Sequence, residues 1–353
     1  MNRREFIKSG SVAAATVSGA AISATEAAAT PLPVSAQETS AQIVLKVASP
    51  WSDDIAGPGD LCRRVLGRIT TLSSGRIQFE HVAAPSNADA QPDIVFGSEH
   101  EHLDRHPAFA YFAGLPGASG LEATAFKGWL ETAGGQALWR DLASAFNYVP
   151  LACGHLGENP PLWSHEPITT AADLRNRRIA IPGLAASVAS GMGARPITSA
   201  DNAAEPVELF ASGDADIVET GGLYFAMQSN IHKHARTATT NAFSRGGTTL
   251  AVRIALNVWE HLKPGDQAVF ESAASELFAT SVTEARMQQA MIRKALETGH
   301  GITFHKLDDA TTRAMDEVAR AVMAHTASFD DAARRIDASA MAFRSLSSAA
   351  FTS

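Results

Sequence analysis

Cysteine is scarce in this 353-residue chain, and the two present, Cys62 and Cys153, fit no metal-ligand spacing. They allow at most one disulfide, and the spacing leaves open whether it forms; either way they do not carry the function. Long apolar runs are also missing, so no segment reads as a membrane span. Positive charge is in deficit: Lys+Arg 29 against Asp+Glu 37 gives a formal net charge of -8. Lysines and arginines cluster only in twos and threes, which argues against a nucleic-acid partner. No Gly-x-Ser-x-Gly elbow, His-Glu-x-x-His helix or phosphate loop occurs, so an enzymatic reading lacks a nucleophile or metal motif. What is there is an ordinary globular composition, 45% hydrophobic, 19% charged and 7% aromatic. At roughly 100–200 residues per domain the length suggests two domains.

The first segment reads as an address. Arg3 and Arg4 precede Phe6, Ile7 and Lys8, and a weakly apolar run follows from Ser9 to Ser23. That order of features marks a twin-arginine export signal, too short and polar to serve as an anchor. Of two small-residue cleavage sites, the one at Val34-Ser35-Ala36 is favoured, which leaves residues 1–36 outside the fold and sends the mature protein to the periplasm with the Tat translocon as export partner.

In the mature chain, β-branched and apolar runs alternate with helical periodicity. Ile43 to Ala48, Arg76 to Val82, Asp93 to Phe96 and Tyr148 to Cys153 read as strands. Leu61, Val65, Leu66, Ile69 and Leu72 share one face of a helix that Gly75 ends. Helical pattern returns over about 121–145, broken at Gly134-Gly135. A second α/β unit begins near 154, with strands at Arg178 to Ile181 and Ala215 to Val218, and helices at Ala185 to Met192 and about 203–211. The alternation predicts a largely parallel sheet. From Pro264 to Gly299 runs a helix without internal Gly or Pro, long enough at about 1.5 Å per residue to lie across both units. Two α/β lobes, an export signal and no span suggest a periplasmic solute-binding fold that closes on a ligand by a hinge. The expected division is 42–153 plus about 243–285 for the first lobe, and 154–242 plus about 286–353 for the second.

From Trp163 the chain reads W-S-H-E-P-I-T-T-A-A-D-L-R-N-R-R-I-A-I-P-G, then M-G-A-R-P-I, then L-F-A-S-G-D-A-D-I-V-E-T. This resembles the DctP-type extracytoplasmic receptors of tripartite ATP-independent periplasmic (TRAP) transporters, nearest to those for 2-oxo acids and lactate. Gly246-Gly247, Leu256 to Leu262 and the long helix continue in family order, and the weakest stretch is 83–92. The resemblance implies a non-enzymatic receptor that holds a small organic anion, such as a 2-oxo or hydroxy monocarboxylate, between its lobes and delivers it to TRAP membrane subunits. An orphan or sensory receptor with another ligand, and a periplasmic metal-dependent hydrolase, are the alternatives.

The family's carboxylate-clamping arginine falls at Ala180, and Arg177 and Arg178 do not replace it, because a one-residue shift on a strand turns the side chain to the other face. In the 2-oxo acid subgroup a metal cation is also held by a Gln or Asn, a Glu followed by an aromatic, and an acid before Gly-Gly. Asn159 and Glu219 match the first two, but the aromatic is Thr220 and the acid is Arg245. A positive charge in place of a hard oxygen ligand argues against a bound metal. The expectation is therefore no cofactor and an anion site moved to Arg245, oriented by Glu219, with Asn159 and Thr220 nearby. The His100-Glu101-His102 cluster reads mainly as a solvated loop, with His100 and His102 as candidate ligand contacts, and His232-Lys233-His234 as another solvated loop. Trp51 and Trp163 either shape the pocket mouth or pack in the core. Only nine residues follow Ala342-Phe343-Arg344, too few for the subgroup's dimerising helix, so a monomer is expected.

Overall fold

Ile43–Ala48 sets the pattern for the fold: Leu45 and Val47 turn inward, Val44 and Lys46 turn out, and the period of two makes a strand with one face in the core. The computed structural model describes residues 41–51, 57–82, 92–197 and 205–352, and residues 41–353 fall in one compact unit. The export signal, the stretch 83–91 and the start of the helix expected at 203 lie outside the described residues. Among those described, the strands are β1 (Ile43–Ala48), β2 (Ile77–His81), β3 (Ile94–Gly97), β4 (Tyr148–His155), β5 (Leu162–Ser164), β6 (Arg178–Ala180), β7 (Arg195–Ile197), β8 (Ile217–Glu219), β9 (Thr237–Thr240), β10 (Thr249–Ala255) and β11 (Thr303–Lys306). They build two sheets, in the orders β2-β1-β3-β10-β4 and β11-β9-β5-β8-β6-β7.

Both sheets are mixed, not largely parallel as expected. In the first, β10 runs antiparallel to β3 and β4; in the second, β5 runs antiparallel to β8 and β9. The reason is connectivity. The chain leaves the first sheet through 156–161 and returns through 241–248, and a strand entered from the opposite end must run in the opposite sense. Leu156 N–H donates to the Thr248 carbonyl at 2.9 Å and Asn159 N–H to the Arg245 carbonyl at 2.9 Å, so the two crossings are bonded to each other. They also approach closely: a Cβ on Gly247, whose φ is 75°, would stand 2.1 Å from the Gly157 carbonyl oxygen.

The helix Pro58–Leu72 forms as expected, with proline in its first turn, and lays Leu61, Val65, Leu66 and Ile69 on the first sheet, while Leu72 stays exposed. Helices Ala123–Thr132 and Gly135–Ser144 are separated at Gly134, where φ is 83°. The helix Pro264–Gly299 has 36 residues. Its first half packs Phe270, Ala273, Ala274 and Leu277 into the core of the first sheet, and Leu296 near its end joins the core of the second. One rigid rod therefore contributes to both cores. Cys62 and Cys153 are buried in the first of them, not in a disulfide; the Cys153 thiol donates to the Leu250 carbonyl at 3.6 Å, and burial pushes its pKa up.

Candidate functional site

Where the two sheets face each other a cavity of about 400 Å³ opens at the ends of β3 and β8. Trp51, Leu103, Leu156, Ile181, Phe225 and Leu250 form its apolar wall, and Ser98, His100, Glu101, Glu219, Thr220 and Thr248 supply its polar groups. Residues from both sides of the crossings line it. Trp51 meets both readings made of it, since it lines the cavity and packs edge-on against Phe96, whereas Trp163 lies wholly in the core.

Glu219 ends β8, a strand parallel to β6, so its carboxylate stands where α/β sheets present ligands. It is 1% exposed. Its Oε2 accepts from the Phe243 N–H at 2.9 Å and the Ser244 N–H at 3.4 Å, while Oε1 has no partner. Burial pushes its pKa up to about 7, against the lowering effect of the Ser244 and Phe243 bonds.

On the opposite wall the His100 cluster is a built turn, not a solvated loop. Ser98 and Glu101 close a capping box around the 3-10 turn Glu99–His102, with the Ser98 N–H donating to Glu101 Oε1 at 3.1 Å. His100 points into the cavity with Nδ1 buried and unpartnered, and burial lowers its pKa to about 4, so the ring is neutral. His102, expected as a ligand contact, faces away from the cavity. It bonds Glu99 Oε2 through Nδ1 at 3.0 Å and takes an N–H of Arg253 on Nε2 at 3.1 Å. Glu99 is itself buried, accepting from Trp139 Nε1 at 3.0 Å and Tyr148 OH at 2.9 Å.

Arg253 was missed in the sequence. It is 3% exposed in the middle of β10, and its Nη2 donates to Glu101 Oε2 at 2.5 Å. The signal was present: Thr249-Leu-Ala-Val-Arg253-Ile-Ala places one charge inside an apolar run long enough to be a central strand. A charge there has to be paired.

Three other expectations are corrected. Arg245 does not enter the cavity and does not meet Glu219; its guanidinium pairs with Asp316 on the helix Asp309–Ala327, which also accepts the Ala118 N–H at 3.0 Å. The charge was close to the cleft in sequence, but the turn Ser244 to Gly247 gives Glu219 the N–H and side chain of Ser244 and sends the Arg245 side chain outward. Asn159 is exposed and takes a left-handed turn position (φ 50°) on the first crossing, and it does not line the cavity. His232 is buried against the His300 ring, 4.3 Å away, where a solvated loop was expected. Ala180 lies in the core, Arg177 pairs with Glu166, and Arg178 pairs with Asp216, so no arginine replaces the expected clamp. Arg245→Ala should lower stability by about 1–2 kcal/mol in a urea melt, the worth of one half-buried charged pair, and leave solute affinity within about threefold. A tenfold loss of affinity at unchanged stability would return Arg245 to the site.

The model of bacterial extracellular solute-binding proteins, family 7 (DctP), matches residues 120–329. Among curated proteins, the monocarboxylate 2-oxoacid-binding periplasmic protein of Nostoc sp. is 24% identical over 294 residues, covering 80% of this chain and 78% of that protein. Among solved structures, a TRAP solute-binding protein of Bordetella bronchiseptica, described with copurified calcium and picolinate, has a TM-score of 0.81 at 18% identity, over 89% of this chain and 95% of its own. One from Pseudoalteromonas atlantica, with bound sodium and pyruvate, has a TM-score of 0.79 at 17% identity, over 87% and 95%. Those two structures establish the shared two-lobed fold.

The metal named with those ligands does not fit the residues present here. Glu219 Oε1 is one orphaned oxygen; Asn159 is off the cavity, and Arg245 occupies the third position. Among the described residues no three His, Cys, Asp or Glu side chains gather as a metal site. Among the described residues, a hard cation that wants six or more oxygens finds no cluster of carboxylates to hold it. The cavity between two mixed sheets, the long helix common to both cores and the family match over residues 120–329 agree: the chain belongs to the bacterial extracellular solute-binding proteins, family 7 (DctP).

Proposed function

We propose that this protein is the periplasmic receptor of a TRAP transporter, exported by the twin-arginine route as a monomer, which captures a small organic acid and hands it to the membrane subunits without chemical change. The observation that carries this reading is the cavity itself, with polar groups on both walls and apolar surface between them. The relatives described with picolinate, pyruvate and 2-oxoacids supply the class of solute. In this reading the lobes are 42–153 plus about 243–285, and 154–242 plus about 286–353, moving about the crossings at 156–161 and 241–248. Closure removes water from the solute, and the closed shape is what the membrane partner recognises.

The test is a melting screen of residues 37–353 against hydroxy, 2-oxo, dicarboxylic and amino acids. A bound solute at 100 times its dissociation constant adds about 2.7 kcal/mol, a shift of several degrees, and the Trp51 ring on the cavity wall gives a fluorescence titration of the same event. No saturable shift from any acid in the panel would overturn the receptor reading.

A further inference from the structure

A receptor for a simple carboxylate anion needs a positive charge in its site, and this cavity offers none. No lysine or arginine lines it. The segments 52–56, 83–91 and 198–204 contain neither residue in their sequence, so they supply none either. Arg253 stands behind Glu101, its charge taken by that carboxylate and its Nη1 by His102, and Arg245 is turned to Asp316. What the cavity does offer is an acceptor without a donor. Glu219 lines the cavity; its carboxyl group is held by the Phe243 and Ser244 N–H groups and the Ser244 side chain, while Oε1 lies buried without a hydrogen-bond partner of its own. A buried acceptor left in this state is costly, and a ligand that donates to it removes the cost.

We propose that the solute brings the missing positive charge itself: the cavity takes an apolar amino or imino acid, a zwitterion whose cationic N–H group faces Glu219 Oε1. Its carboxylate meets uncharged donors across the cavity, the neutral His100 ring and the Thr248 hydroxyl, and its side chain lies against Trp51, Ile181 and Phe225. The polarity of the two walls dictates this direction. A 2-oxo acid has a carbonyl oxygen where the amino acid has nitrogen, so it would set acceptor against acceptor at the ionised Glu219 and add a second negative charge beside a carboxylate whose charged form burial already disfavours, whereas an ammonium group favours that charged form. The ammonium group stands in for the cation that accompanies pyruvate and picolinate in the two solved relatives. This inference rests on the receptor reading and narrows its substrate class.

Isosteric pairs separate the two chemistries. Leucine with 4-methyl-2-oxopentanoate, and valine with 3-methyl-2-oxobutanoate, differ at the atom that faces Glu219. Titration calorimetry of residues 37–353 should give the amino member of each pair at least tenfold tighter binding, unchanged by Ca²⁺ or EDTA. Glu219→Gln, whose amide nitrogen donates to a carbonyl, should cut that preference at least tenfold; if this variant does not fold, the wild-type ratio and its indifference to Ca²⁺ decide the matter alone. Oxo acids that bind as tightly as their amino partners, or only with Ca²⁺, would overturn the zwitterion inference and leave the receptor standing. Silence from both series and from the wider acid panel would overturn both.

Discussion

Arg253→Ala should destabilise the protein by about 1–3 kcal/mol, because it removes a buried cation from beside the buried Glu99 carboxylate, while its direct partner Glu101 still reaches water. The guanidinium is the one arginine or lysine bonded into a cluster of Glu99, His102 and Tyr148, with the partly exposed Glu101 at its edge. Without it Glu101 loses its charge partner, and Glu101 is the residue that closes the capping box around Ser98. The turn that presents His100 would then loosen, so solute affinity should fall along with stability. Urea melts followed by circular dichroism measure the first effect. A loss below 1 kcal/mol would mean that water, not the pair, solvates this site. The double variant Arg253→Met with Glu101→Gln should recover only part of the loss, because Glu101 no longer stands without a partner while the buried Glu99 keeps its charge, and the capping bond then depends on the amide oxygen.

Much of the architecture could be read from the chain because local rules governed it. The break at Gly134, the proline start and 36-residue run of the long helix, and the inward faces of β1 and the helix Pro58–Leu72 all follow from periodicity and from residues with fixed backbone preferences. The mixed sheets were not legible, since strand direction depends on where the chain crosses between sheets. Site residues divide in the same way. Glu219, Thr220, Trp51 and His100 line the cavity, each at the end of a strand or on the turn after one. Arg245 and Asn159 are on the crossings, where the left-handed backbone at Asn159 and the turn to Gly247 decide which way a side chain points. Arg245 found Asp316, 71 residues away, and nothing in the local sequence announces that partner. His102 was misplaced for a related reason: its acceptor Glu99 and donor Arg253 together pull the ring away from solvent, and the second of these comes from a strand 151 residues on.

Gly183→Ala should weaken solute binding by about 10–100-fold, because Gly183 lies where the two halves of the cavity touch. Its φ is 68°, and a Cβ there would stand 2.4 Å from His100 Nδ1, an atom carried by the opposite wall. An alanine has two ways to relieve this contact. It can push the His100 ring out of the cavity, where the ring is part of the binding surface, or it can hold the walls apart and lower the population of the closed state. Both reduce affinity, and small-angle scattering separates them, since only the second enlarges the solute-saturated protein. Backbone strain adds a further cost of about 1–3 kcal/mol in stability, because L residues avoid this conformation. A second substitution isolates the steric part: His100→Ala in the Gly183→Ala background should restore closure in scattering even though it removes a donor from the cavity. Wild-type affinity in Gly183→Ala alone would show that the walls do not meet at this point when the solute is bound, and that the closing contact lies elsewhere along the cleft.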